Sequence, residues 1–126
     1  MCATVCIVDD DEGMREVLAR VARSIGLDAE LYDSAEAFLR RVDRIGITCM
    51  MLDVQLGGMS GLGLLARLCE EQHTFPVFLI SGTHDAGTVS HARRLGAIVI
   101  DKPFDARMLG RRILATIGAA PPETAS

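Results

Sequence analysis

The sequence has no tryptophan, one tyrosine and four phenylalanines. A chain of 126 residues with so few rings must build its core from Leu, Ile, Val, Ala and Met. No apolar run approaches the roughly 18 residues of a membrane span. Acidic residues begin at Asp9, too early for the apolar stretch of a secretion signal. These absences lead us to expect a cytoplasmic protein with no membrane partner. A basic excess is missing too, since the net charge is -4. A nucleic-acid-binding surface covering the chain is therefore not expected. The four cysteines, Cys2, Cys6, Cys49 and Cys69, make no CxxC pair and no zinc spacing. Cys6 and Cys49 fall in apolar runs, so buried reduced thiols are expected rather than a redox or metal site. His73, His84 and His91 have no metal spacing either, and His84 reads as a loop or helix-start residue.

What is present is an alternation. The chain is 49% hydrophobic and 24% charged, enough for one folded domain. Short apolar runs read as strands at 3–8 (ATVCIV), 28–32 (DAELY), 47–52 (ITCMML), 77–80 (VFLI) and 97–100 (AIVI). Helix-period segments follow each. Met14, Val17, Leu18, Val21, Ala22 and Ile25 mark the first. The others are AEAFLRRV (35–42) after Ser34, a segment after Ser60 carrying Leu64, Leu65 and Leu68, HDAGTVSHARRL (84–95) and FDARMLGRRILATI (104–117). Residues 1–117 are expected to form one domain, and 118–126 (GAAPPETAS) a flexible tail or linker. Apolar strands alternating with helices predict an α/β fold: a doubly wound, five-stranded parallel sheet with helices on both faces. Order 2-1-3-4-5, the flavodoxin-like arrangement, is one of its two common forms.

Such folds place sites at the carboxyl ends of their strands. Asp9 and Asp10 end the first strand, Asp53 the third, Ser81 the fourth, and Asp101 with Lys102 the fifth. Three carboxylates, a hydroxyl and an ammonium should thus converge. Carboxylates crowded together suit a hard divalent cation with oxygen ligands, and Mg2+ uses one or two carboxylates plus a phosphate. The set looks built to hold a phosphoryl group beside a carboxylate able to attack it. Asp11 and Glu12 are read as first-turn residues favouring the positive helix end.

These residues carry a resemblance. VDDDE after the first strand, MLDVQLGGMSG around Asp53, LISG at Ser81, RRLGA before the fifth strand and DKPF at Lys102 resemble the receiver domain of two-component response regulators, the CheY-like fold. The resemblance covers residues 3 to about 117. It implies that Asp53 accepts a phosphoryl group from the phosphohistidine of a sensor histidine kinase or phosphotransfer protein. It implies Mg2+ (or Mn2+) held by Asp10, by Asp9 through a water, by Asp53 and by the backbone carbonyl of Gln55. Ser81 and Lys102 would bind phosphate oxygens, and Lys102–Pro103 would be a cis peptide. The domain would be a signalling module rather than an enzyme. Its output would pass to a downstream protein, or to a second copy, through the face of the fourth helix, fifth strand and fifth helix. Arg93, Arg94, Arg107, Arg111 and Arg112 give those helices a basic look, whether as part of that surface or as a plain solvated face.

Three positions depart from the family. Val99 stands three before the lysine, where an aromatic ring is usual. The segment GAIVIDKPF is one residue short, which predicts distortion at the start of the fifth strand or the loop before it. Gly57 replaces the usual proline after the phosphoacceptor, and Gly58 follows, so that loop is expected to be more flexible. Gln55 and Thr83 flank the site and would tune phosphate lifetime. Two other classes compete: a pseudo-receiver that is never phosphorylated, and a haloacid-dehalogenase-like phosphohydrolase. The second needs Thr or Val where Gly13 stands, and a cap domain for which there is no room. A flavin-binding flavodoxin would need a neutral, hydroxyl-rich phosphate loop.

Overall fold

β-branched and aliphatic residues in short runs build the strands, and the polar caps between them start the helices. A computed structural model describes residues 3–41, 43–82 and 85–118. Expectations placed on Cys2, Val42, Thr83, His84 and residues 119–126 lie outside the described residues. The order is β1 (Thr4–Val8), α1 (Glu12–Ser24), β2 (Asp28–Tyr32), α2 (Ala35–Leu39), β3 (Ile47–Asp53), α3 (Gly61–Glu70), β4 (Val77–Ser81), α4 (Ala86–Arg94), β5 (Ile98–Asp101) and α5 (Ala106–Ile117). The sheet is parallel throughout in the order β2-β1-β3-β4-β5, as expected.

Period-two alternation divides the core into two layers. Cys6, Val8, Met50, Leu52 and Leu79 face Phe38 of α2, Leu64, Leu65 and Leu68 of α3, and Ala92 of α4. Val5, Ile7, Met51, Phe78 and Ile80 face Leu18, Val21 and Ala22 of α1 and Leu109 and Ile113 of α5. Each fully buried large side chain contributes roughly 1.5–3 kcal/mol. Cys6 and Cys49 are buried and reduced, and burial pushes each thiol up to about 12. Among the described residues, no helix is long and apolar enough to cross a membrane.

Several boundaries differ from the sequence reading. α2 stops at Leu39 rather than running to 42. Arg41 turns back instead, its Nε 3.0 Å from Oε1 of Glu30 and its Nη1 donating to the carbonyl of Asp43 at 2.6 Å. Those bonds are available only outside the helix. β3, β4 and β5 each extend one residue further, because the backbones of Asp53, Ser81 and Asp101 stay in the ladder whatever their side chains. β5 pairs with β4 without a register break, so the distortion expected from the short segment is absent from the strand. The turn out of α4 is regular as well: the Gly96 N–H bonds the Arg93 carbonyl at 2.9 Å and the Ala97 N–H bonds the Ala92 carbonyl at 3.1 Å, the same pattern that Gly26 and Leu27 make at the end of α1.

Candidate functional site

Parallel strands bring their carboxyl ends to one edge, and there the predicted residues meet. β1 delivers Asp9, which is fully buried and whose N–H bonds the Tyr32 carbonyl at 3.1 Å. Asp10 follows and is exposed. Asp11 is the N-cap of α1, its side chain accepting from the Met14 N–H, rather than a first-turn residue. Asp53, the last residue of β3, is 5% exposed, and Ser81, the last of β4, is buried as well. Lys102 follows β5, with a cis peptide to Pro103 as expected.

The carboxylates of Asp9, Asp10 and Asp53 lie within 4.8 Å of one another. Lys102 Nζ stands 3.4 Å from Oδ2 of Asp53, while Oδ1 accepts the Gln55 N–H at 3.0 Å. Asp9 uses Oδ1 to accept the Asp11 N–H at 2.9 Å. Its Oδ2 is buried with no hydrogen-bond partner among the described residues. A buried carboxylate oxygen left in that state carries an uncompensated desolvation cost. Burial pushes the Asp9 carboxyl up to about 6, the Asp11 N–H and Lys102 oppose the rise, and the charges of Asp53 and Asp10 add to it. A divalent cation among the three carboxylates would remove both the repulsion and the orphaned oxygen, so these residues fit Mg2+. Such an acidic pocket is where receivers bind that ion.

Two contacts escape sequence reading. Arg15, from the first turn of α1, donates to the Asp9 carbonyl at 2.7 Å. Glu36, at the start of α2, accepts the Met59 N–H at 2.8 Å, so the Gly57–Gly58 loop, expected to be more flexible, has an external anchor. Neither pairing has a local signal, since each joins separate elements. One signal was available and simple: Lys102 is the only lysine of the sequence. Val99 is half-buried and packs in the layer of α2, α3 and α4. His73 packs against Phe75 with ring centroids 5.1 Å apart, and His91 is exposed near the end of α4. Neither His joins the acidic site.

Comparison with known proteins shows the family and the fold. The family model "Response regulator receiver domain" matches residues 5–114. The transcriptional regulatory protein FixJ of Bradyrhizobium diazoefficiens is 32% identical, over 97% of this chain and 60% of its own. The response regulator protein TodT of Pseudomonas putida is 37% identical, over 94% of this chain and 53% of its own. The chain thus spans little more than half the length of these relatives. A CheY-like receiver from Methanospirillum hungatei shares the fold, with a TM-score of 0.86 at 20% identity over 94% of this chain and 95% of that one. By matched length, fold and the placement of its strand-end residues, the chain belongs to the receiver domain family of two-component response regulators.

Proposed function

We propose that this receiver is switched by phosphorylation at Asp53. The observation that carries the reading is the grouping of a buried Asp53, an ammonium 3.4 Å away and two further carboxylates within 4.8 Å. In the transfer, a carboxylate oxygen of Asp53 attacks phosphorus. The new P–O bond forms as the bond to the donor breaks, and its electron pair leaves with the donor, a phosphohistidine imidazole or a small acyl phosphate. Catalysis of such a step is mostly positioning and charge neutralisation. Lys102 offsets the charge on the phosphoryl oxygens, and Ser81 donates to another of them. Asp9, Asp10, Asp53 and the Gln55 carbonyl would hold Mg2+. When bound, that ion supplies positive charge against the phosphoryl oxygens and cancels carboxylate repulsion.

The added charge and acceptor oxygens then draw on Ser81 and on the start of α4, an electrostatic event at one strand end. FixJ is by its name a transcriptional regulator. Here the phosphodonor is a sensor histidine kinase or phosphotransfer protein, and the output a protein contact on the α4, β5 and α5 face. Support for that face comes from Arg93, Arg94, Arg107, Arg111 and Arg112, all exposed and without an ion pair among the described residues. It comes also from a groove of about 480 Å3 lined by Ile100, Phe104, Met108, Leu109 and the last two of those arginines. A homodimer would use the same surface.

The test is intact mass after incubation with Mg2+ and acetyl phosphate. One phosphate adduct is expected on the wild type, and none on Asp53→Asn or with the divalent cation chelated. No adduct on the wild type under any condition would overturn the reading in favour of a pseudo-receiver.

A further inference from the structure

Glu36 lies outside the acidic site. As a sequence feature it is only a first-turn acid on α2, and its side chain is exposed. Its Oε2 nonetheless accepts the backbone N–H of Met59 at 2.8 Å, from a residue 23 positions away. Met59 belongs to the segment between Asp53 at the end of β3 and Gly61 at the start of α3. Gly58 stands at φ 75°, and a Cβ built there would lie 2.8 Å from the same Oε2. The carboxylate therefore touches two consecutive residues of this loop. The Met59 N–H holds the Glu36 carboxyl below the usual carboxylate range, so the bond is charge-assisted at neutral pH.

The loop's other half is fastened at the site itself. Gln55 donates its N–H to Asp53 Oδ1 at 3.0 Å, and Gly61 donates to the Val54 carbonyl at 3.1 Å. Between these fastenings run Gly57 and Gly58, which restrain the backbone least. Resting on the receiver reading above, we infer that Glu36 is a positioning residue that clamps Gly58–Met59 and thereby presets the Gln55 carbonyl for the divalent cation. With the clamp closed, binding does not have to order the loop. With it open, that ordering is charged against affinity.

The test compares wild type, Glu36→Ala, Glu36→Gln and Gly58→Ala by Mg2+ titration calorimetry, with hydrogen exchange across residues 54–60. Position 36 is exposed and helical, so both of its variants should fold. Glu36→Ala should weaken Mg2+ binding by about 3- to 10-fold, less than the loss of a group bonded directly to a metal ligand. The Met59 amide should exchange faster in the same variant. Glu36→Gln should bind within about twofold of wild type, because its amide oxygen accepts the same bond. Gly58→Ala should weaken binding from the other side, both by displacing the carboxylate and by straining a residue at φ 75°. Unchanged affinity and exchange in Glu36→Ala would overturn the clamp. So would equal losses in the Ala and Gln variants, since they would assign the effect to charge alone. A wild type that binds no Mg2+ would overturn the phosphorylation-switch reading itself, a result distinct from either.

Discussion

Asp53 holds two oxygens with different neighbours, and that difference orders the site. Oδ1 is committed to the Gln55 N–H, while Oδ2 faces Lys102 at 3.4 Å. The ammonium thus waits where a phosphoryl group on Asp53 would place its charge. Because Lys102 is the only lysine, amine-directed acylation followed by peptide mapping reads this one position directly. Protein charged with Mg2+ and beryllofluoride should be acylated at Lys102 several-fold more slowly than the free protein. Equal rates would disconnect Lys102 from the phosphoryl site. At this scale Asp9, Asp10, Asp53, Ser81 and Lys102 were legible because each follows an apolar run, so strand order alone places them together. Arg15 and Glu36 were not, because a charged residue in a first helical turn reads the same whether or not it reaches another element.

The position of Asp53 depends on how closely α3 follows it. Gly61, the first residue of α3, is buried, and a Cβ there would overlap the Asp53 carbonyl oxygen and lie 2.7 Å from the Val54 Cα. Neither of those backbone atoms can swing aside as a side chain would. Gly61→Ala should therefore cost about 1–3 kcal/mol, the usual range for overpacking. Urea denaturation would show it, and phosphorylation of Asp53 by acetyl phosphate should slow in parallel. A wild-type midpoint would mean that α3 can shift away freely. α2 teaches the complementary lesson. Five residues are too few to be helical on propensity alone. Ser34 caps it, accepting the Ala37 N–H at 3.0 Å, while buried Phe38 meets the Tyr32 ring edge-on at 5.4 Å and lies under Arg44 at 4.8 Å. The pattern AEAFLRRV reads as helix to its end, but Arg41 gains more bonds by leaving it.

Over the whole molecule, the buried acid of this site works against stability at neutral pH. Burial raises Asp9 from 3.8 to about 6 in the folded state. A raised carboxyl favours the fold in its protonated form, so its stabilising contribution is complete below pH 3.8 and is lost as pH rises through about 6. Without divalent cations, stability should fall across that window. Asp9→Asn should flatten the decline, with a gain on the order of 2 kcal/mol at neutral pH. Saturating Mg2+ should restore most of the loss in the wild type and little in the variant. Thermal melts at pH 5 and pH 7.5, with and without Mg2+, check this, and a wild type that melts higher at pH 7.5 without the cation would contradict it. Glu30 acts oppositely and at lower pH. Its hydrogen bonds from Arg41 and Tyr32 depress its carboxyl, so its contribution is present at neutral pH and lost as pH falls through that depressed value. Half-buried Val99 packs as an aliphatic side chain where the family usually has a ring.

Apolar runs of strand length alternating with helical periods determined the α/β class and a helix-covered parallel sheet, leaving the order β2-β1-β3-β4-β5 as one of two common forms. That topology in turn determined which strand ends carry the chemistry. Tertiary structure alone decided how the site is supported. The orphaned oxygen of Asp9, the close passage of α3 over Asp53 and the bond from Glu36 to Met59 all depend on distances between elements. Periodicity along a chain describes each element's faces. It does not describe how far one face stands from the next: the sequence already separated Asp9 and Asp10 from the helix-start pair Asp11 and Glu12, and only the structure brought the first two beside Asp53 and made Asp11 the cap of α1.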